Sequence, residues 1–377
     1  MKWNSTSLRT VIAVLAACVA LVLSGCSSSA GGGGAADSVA GTGSVTGDGG
    51  LLMVFMPSTS NVYLKAAAES IKTEADELDY EVKIVENDFD QTEQDQQVQE
   101  WLASAEEAEA VLFWPASAAA ATNSIRQLSA KAPVIQWNQL VQDDAREFVS
   151  AYAGVSDLAM GRQAGVDALG ALEELTASGR QWRGPGGKPN LIEIRFTAGY
   201  AAGDDRQTSF AEETGDAFNV LAVEATPTVD AQGGFAAASQ VIPQYLDEGI
   251  DFVYTHSNDV ANGVVQALEQ NGLKPGEDVI VVAGTSSGDL TNLRSGKIWS
   301  AVLQPPVIEG QLVVRTAAQL LAAGEPTSGE TTLPPDAEKP ELTADPPSET
   351  TFMMSPQVTA ENIDTIQIWG MSFEELN

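Results

Sequence analysis

Leu51-Leu-Met-Val-Phe-Met56 runs into Pro57-Ser-Thr-Ser-Asn61 and then into Val62-Tyr-Leu-Lys-Ala-Ala-Ala-Glu-Ser-Ile71. Six apolar residues in a row, with no polar alternation, predict a strand covered on both faces. The polar pentapeptide supplies turn and N-cap chemistry, and Leu64, Ala67, Ala68, Ile71, Ala75 and Leu78 then recur at helical spacing. A strand buried on both sides belongs in a parallel sheet, because right-handed crossovers lay helices over both faces.

The same unit recurs outward from this stretch. Strands are predicted at Glu81 to Glu86, Ala110 to Trp114 and Pro133 to Trp137, with helices over Gln91 to Glu107 and Ser117 to Lys131. A helix capped by Ser156 or Asp157 reaches about Ala177, and a second series follows. Its strands are Leu191 to Phe196, Val220 to Ala225, Phe252 to Thr255 and Val279 to Ala283. Its helices are Asp205 to Ala217, Gly234 to Glu248 and Val260 to Asn271. The fold class is α/β: two Rossmann-like lobes with parallel sheets. Residues 325–350 are rich in Pro, Thr and Glu and read as an exposed loop.

Ahead of the first strand, Lys2 and Arg9 precede the apolar run Val11–Leu23, which is far shorter than the roughly 20 residues of a membrane span. It closes on Leu23-Ser24-Gly25-Cys26, which resembles the lipobox of bacterial lipoproteins. Residues 1–25 are therefore expected to be a signal peptide and Cys26 a lipid anchor, placing the protein on the outer face of the cytoplasmic membrane. Residues 26–50, nearly all Ser, Gly, Ala and Thr, read as a flexible linker. The chain has two cysteines, Cys18 and Cys26, so the mature domain is expected to have no disulfide, thiolate metal site or cysteine nucleophile. A single histidine, His256, leaves little for zinc or imidazole chemistry, and no metal or cofactor is expected. The net charge of −33 argues against nucleic acid as a partner.

In open parallel sheets, ligands bind beyond the carboxyl ends of the strands. Those ends carry Asn61 and Tyr63, then Trp114, then Trp137 with Asn138 and Gln139. In the second series they carry Arg206, Thr228 and Val229, Ser257 and Asn258, and Thr285 and Ser286. Aromatic faces beside neutral amides, hydroxyls and one guanidinium suit a ligand with C–H faces and a rim of hydroxyls. Each residue also has a plainer reading. Trp114 and Trp137 could be core, Asn61 only an N-cap, and Arg206 a surface ion pair with Asp204 or Asp205.

From Leu51 to about Ile366 the chain resembles the type I periplasmic binding proteins of ABC sugar importers, most closely the ribose-binding subgroup. Pro57–Tyr63 is similar to that group's Asn-Pro-Phe-Phe loop, and Asn87-Asp88-Phe89-Asp90 with Gln94 and Gln97 to its second loop and helix. Val134–Asn138, Asp205-Arg206-(x)3-Phe210, His256–Gly263, Asp278–Ser287, Gln304-Pro305-Pro306 and Thr359–Ile363 follow in the family's order. The resemblance implies that Asn61, Arg206 and Gln304 hydrogen-bond a sugar and that Tyr63 stacks on it. Leu64 and Val229 stand in place of aromatics, Asn138 and Thr285 in place of acids, and Gln139 in place of an arginine. Ser257 occupies a position usually held by asparagine, with Asn258 where an acid follows. The loss of charged groups points away from ribose itself and toward another sugar, sugar alcohol or cyclitol.

The resemblance further implies a three-segment hinge near Ala153, near Gln304 and around residues 345–352. The expected lobes are 51–153 with 305–350 and 154–304 with 351–377. The expected ligand contacts are Asn61, Tyr63, Trp114, Trp137, Asn138, Gln139, Arg206, Val229, Ser257, Asn258, Thr285 and Gln304. A monomer would deliver ligand to the membrane subunits of an ABC permease; the alternative is a binding protein that reports to a membrane receptor or sensor kinase. An enzyme is not expected. Gly284-Thr-Ser286-Ser-Gly288 matches G-x-S-x-G after a strand, but no histidine follows it. A DNA-binding repressor of the related two-lobe group fits neither the leader nor the acidity.

Overall fold

The computed structural model describes residues 45–324, 327–334, 336, 338–343, 347–352 and 357–377. Residues 1–25, expected to be a signal peptide, Cys26 and most of the expected 26–50 linker lie outside the described residues. In chain order the strands are β1 (Gly50–Pro57), β2 (Tyr80–Asn87), β3 (Ala110–Phe113), β4 (Val134–Trp137), β5 (Ala151–Gly154), β6 (Asn190–Arg195) and β7 (Asn219–Ala225). They continue as β8 (Phe252–Thr255), β9 (Ile280–Ala283), β10 (Ser300–Ala301), β11 (Thr327–Leu333), β12 (Pro347–Phe352), β13 (Gln367–Ile368) and β14 (Met371–Ser372). The α-helices are α1 (Val62–Glu77), α2 (Gln91–Ala103), α3 (Thr122–Ser129), α4 (Asp157–Ala177) and α5 (Ala201–Thr214). After them come α6 (Ala231–Val241), α7 (Asn258–Gln270), α8 (Thr291–Arg294) and α9 (Pro306–Ala323).

Two parallel sheets result, with strand orders β11-β12-β5-β4-β3-β1-β2 and β10-β9-β8-β6-β7. In each, the strand first in sequence lies inside the sheet, so the order reverses beside it: β1 between β3 and β2, and β6 between β8 and β7. The apolar run at 51–56 is continuous because its alternate side chains serve two cores. Leu52, Val54 and Met56 pack with α1 and α9, whereas Met53 and Phe55 pack with Val98, Trp101, Ile125 and Leu128 of α2 and α3. The second sheet and its helices share a third core, which also takes in Val358, Ile363, Ile366, Phe373 and Leu376 from the end of the chain.

Three expectations change. Residues 325–350 are not simply an exposed loop: β11 pairs with β12, and β12 pairs with β5 through Glu349–Tyr152, Thr350–Ala153 and Thr351–Gly154. Their threonines suit the margin of the sheet, where β11 is the edge and β12 the next strand, a pattern too polar to be told from a loop. β5 itself went unread because Ala151-Tyr-Ala-Gly154 is short and ends in glycine. The helix expected to reach Glu248 stops at Val241 and tightens into a 3-10 turn at Ile242–Tyr245, because Pro243 has no N–H to continue it.

Candidate functional site

The carboxyl ends of both sheets open on one cavity of about 520 Å³, counted out to its mouth. It is lined by Asn61, Tyr63, Leu64, Phe89, Trp114 and Asn138 from the first sheet, and by Phe196, Tyr200, Arg206, Val229, Ser257, Asp259, Thr285 and Ser287 from the second. Gln304, on the chain segment between β10 and α9, completes it. Strand reversal leaves the helix starts after β1 and β6 unobstructed, which is why the polar groups gather there.

On the first-sheet side, Trp114 meets Tyr63 edge-on at 6.2 Å between ring centroids. Behind it Trp137 meets the Trp114 ring at 4.9 Å and 74°. Asn61 Oδ1 accepts from Leu64 N–H at 3.2 Å, so it does cap α1. Its side-chain N–H donors have no partner among the described residues. Tyr63 Oη donates to Glu309 Oε2 and accepts from Gln304 Nε2 at 3.1 Å. Asn138 Nδ2 donates to the same Glu309 oxygen at 2.9 Å. Burial pushes the Glu309 carboxyl up to about 7, against the hydrogen bonds from Tyr63 and Asn138. Burial, reinforced by the Glu309 charge, also holds the Tyr63 hydroxyl well above its ordinary range.

Asn138 has φ +63°, and the chain makes room for it at Gly154, whose φ is +155°. A Cβ there would lie 2.8 Å from Asn138 N and 3.2 Å from the Tyr152 hydroxyl. Gly154→Ala is expected to displace Asn138 and cost about 1–2 kcal/mol of stability. The measurement is a urea midpoint, and an unshifted midpoint would contradict this packing.

The second-sheet side is organised by Arg206, which is 4% exposed. Its Nε donates to Asp157 Oδ1 at 2.8 Å, its Nη1 to the His256 carbonyl at 2.5 Å, and its guanidinium lies 5.1 Å over the Phe196 ring. The partner is Asp157 at the start of α4, not Asp204 or Asp205; Asp204 pairs with Arg195 instead. Gly161 permits the approach of α4 to α5, since a Cβ there would fall 2.2 Å from Arg206 O. Burial raises the Asp157 carboxyl, with Arg206 opposing. Burial likewise lowers the His256 imidazole, opposed by Glu193. The ring accepts from Phe196 N–H at Nδ1 and so donates from Nε2 to Glu193 at 2.8 Å.

The hydroxyl of Ser257 caps α7 by accepting from Val260 N–H, and Thr285 Oγ1 accepts from Asn258 N–H, both at 3.2 Å. Each keeps its own O–H to donate. Asp259 follows in the first turn of α7, and burial with repulsion from Asp230 raises its carboxyl to about 6.

Of the twelve candidate contacts, nine line the cavity: Asn61, Tyr63, Trp114, Asn138, Arg206, Val229, Ser257, Thr285 and Gln304. The structure places Trp137, Gln139 and Asn258 behind it. Trp137 is fully buried beneath Trp114. The Gln139 amide bonds Pro115 O at 2.6 Å and Ala118 N at 3.2 Å, fastening the loop after β3. Asn258 Nδ2 holds the carbonyls of Ser287 and Asp289 at 3.0 and 2.8 Å. Phe89, Phe196, Tyr200, Asp259 and Ser287 line the cavity without having been singled out. Phe196 closes a strand and so could have been read from its position. Phe89 and Tyr200 sit in loops and meet only in three dimensions, at 6.4 Å between rings. Ser286 of the G-x-S-x-G stretch is fully buried, and its Oγ accepts from Gln304 N–H at 3.3 Å.

Residues 52–326 match the periplasmic binding protein domain family. Over 97 residues, 25% of this chain, the sequence is 31% identical to the galactofuranose-binding protein of Escherichia coli (strain K12); the match spans 30% of that protein's length. The fold is similar to the periplasmic binding protein of the arabinose ABC transporter from Shewanella sp. ANA-3, solved with α- and β-L-arabinofuranose. The TM-score is 0.65 at 16% identity, covering 83% of this chain and 92% of that one. It is also similar to a carbohydrate transporter solute-binding protein from Agrobacterium radiobacter in complex with D-arabinose. Here the TM-score is 0.68 at 18% identity, over 87% and 98% of the two chains.

Proposed function

Because the chain belongs to the periplasmic binding protein domain family, we propose that it captures a sugar or polyol between two lobes and hands it to an ABC importer. The observation that carries this reading is the make-up of the cavity. Its cation, Arg206, is already matched by Asp157, and the remaining polar lining is mostly neutral hydroxyl and amide. A carboxylate ligand would meet Asp259, with little free positive charge to offset it. A neutral polyol can give each of these groups a hydroxyl, and an unpaired buried partner would otherwise cost about 1–3 kcal/mol.

The first lobe keeps all of β5 and β12, so the expected bounds at 153 and 350 move outward: the lobes are residues 51–154 with 305–352 and residues 155–304 with 357–377. The crossings fall just after Gly154, near Gln304 and between Phe352 and Val358. Ligand contacting both lobes stabilises their closed arrangement by differential affinity. The protein works outside the cytoplasmic membrane, anchored through Cys26 and acting without covalent chemistry. The similar proteins named above make pentoses and hexoses, in pyranose and furanose forms, the first probes. Myo-inositol and glycerol extend the panel to polyols.

A calorimetric screen of that panel is expected to give saturable binding by at least one neutral member. Trp114→Ala should weaken it at least tenfold by removing the ring that faces Tyr63 across the cavity wall. Binding of an amino acid or peptide, with the whole sugar panel silent, would defeat the proposal.

A further inference from the structure

Glu309 lies in the first turn of α9, is 1% exposed and does not line the cavity, yet it touches two residues that do. An ionised carboxylate can only accept. The proton of Tyr63 is therefore committed to Glu309, and Gln304 Nε2 takes a lone pair of the Tyr63 oxygen. The amide nitrogen of Asn138 is likewise drawn to Glu309, at 2.9 and 3.3 Å from its two oxygens. Once one end of an amide is assigned, so is the other. Asn138 Oδ1 accepts no hydrogen bond among the described residues, although Asn138 lines the cavity.

Building on the sugar-binding reading, we propose that Glu309 is a positioning residue that sets the hydrogen-bond polarity of the first-sheet wall. It turns Asn138 so that the amide presents an acceptor to the ligand, and it leaves Tyr63 as an acceptor as well. Asn138 thereby does with a neutral group what a carboxylate would do at that position. The site then selects a ligand with a donating hydroxyl there and disfavours a fluorine, an ether or a carboxylate. Glu309 meets Tyr63 on α1 and Asn138 after β4, with Gln304 bonded to the Tyr63 hydroxyl; Asp157 on α4 and Arg206 on α5 act on it through their charges, and Tyr152 on β5 and Tyr200 before α5 feel its charge. Glu309 titrates near neutrality, so the polarity it imposes is present above about pH 7 and relaxes below it.

The test uses ligand-free protein labelled with [15N]asparagine. The Asn138 side-chain amide signals, identified by their loss in Asn138→Asp, should move between pH 5 and 9 with a midpoint near 7 and stay fixed in Glu309→Gln. Signals that do not move in the wild type, or that move equally in E309Q, would overturn the proposal whatever the protein binds. A second arm uses L-arabinose and D-galactose with their monodeoxyfluoro derivatives. For a sugar that binds, fluorine at one position should cost the wild type at least tenfold in affinity and cost E309Q several-fold less. An equal penalty in both proteins would also overturn it. Silence of both sugars bears on the sugar-binding reading and leaves the titration to decide this one.

Discussion

Arg206→Ala is expected to lower the unfolding free energy by about 3–5 kcal/mol at neutral pH, because it strands a buried carboxylate. Arg206 and Asp157 have side chains only 5% and 2% exposed, and their contact spans 2.8 Å. Without the guanidinium, Asp157 keeps the desolvation that already raises it and loses the charge that opposes it. The same change removes a cation–π contact with Phe196 and the donor to His256 O. Urea unfolding of three proteins checks the mechanism. Arg206→Ala should show the full loss, and Arg206→Ala with Asp157→Asn should recover much of it, since no charge is then left unpaired. A double variant no more stable than the single one would contradict the account. Ligand affinity should fall by a further charge-assisted bond, about 1.5–3 kcal/mol, where the folded fraction is saturated.

Asp167 supplies the second large effect. It lies on α4 at 2% exposure, accepts from Gln163 Nε2 at 2.8 Å, and leaves Oδ2 without a partner among the described residues. Burial raises its carboxyl to about 7 from an ordinary 3.8, with the Gln163 hydrogen bond opposing. Between those values the folded chain holds a proton that the unfolded chain releases. Stability therefore falls as pH rises from about 4 to about 7 and is level above that, by roughly 2–4 kcal/mol for this residue. Glu309, Asp205 and Asp259 are raised as well and act in the same direction. Together these four carboxyls favour the acid side of neutrality, opposed by His256, Asp230 and Asp289, which are lowered. Asp167→Asn should gain roughly 2–4 kcal/mol more at pH 8 than at pH 4.5 relative to wild type. The comparison between two pH values cancels whatever the amide itself costs. Equal shifts at both would show that Asp167 is not held protonated by its surroundings.

Much of this site was legible because parallel sheets put function in a known place. Once 51–56, 110–114 and 252–255 are read as doubly covered strands, the residues after them must gather at one end of their sheets. Asn61, Trp114 and Ser257 could be nominated on that ground alone. What failed has local causes. Trp137, Gln139 and Asn258 follow strands just as their neighbours do, but a residue's side is set by pleat and loop path. The amides of Gln139 and Asn258 are consumed by nearby loop carbonyls. The threonine-rich strands at 327–333 and 347–352 carried little apolar signal, because they gain their place mainly by pairing in the order β11-β12-β5, with only Leu333 and Thr350 turned inward among the described side chains.

The sequence by itself determined the periodicity, and with it parallel sheets whose polar residues gather at the strand ends, because strands buried on both faces must be covered by helices on each side. Only the tertiary structure decided which charge meets which. Asp157 stands 49 positions before Arg206, and Glu309 stands 171 positions after Asn138. No spacing rule links residues so far apart: Asp157 meets Arg206 because α4 packs on α5, and Glu309 meets Asn138 because the chain leaves the first sheet, builds the second and returns.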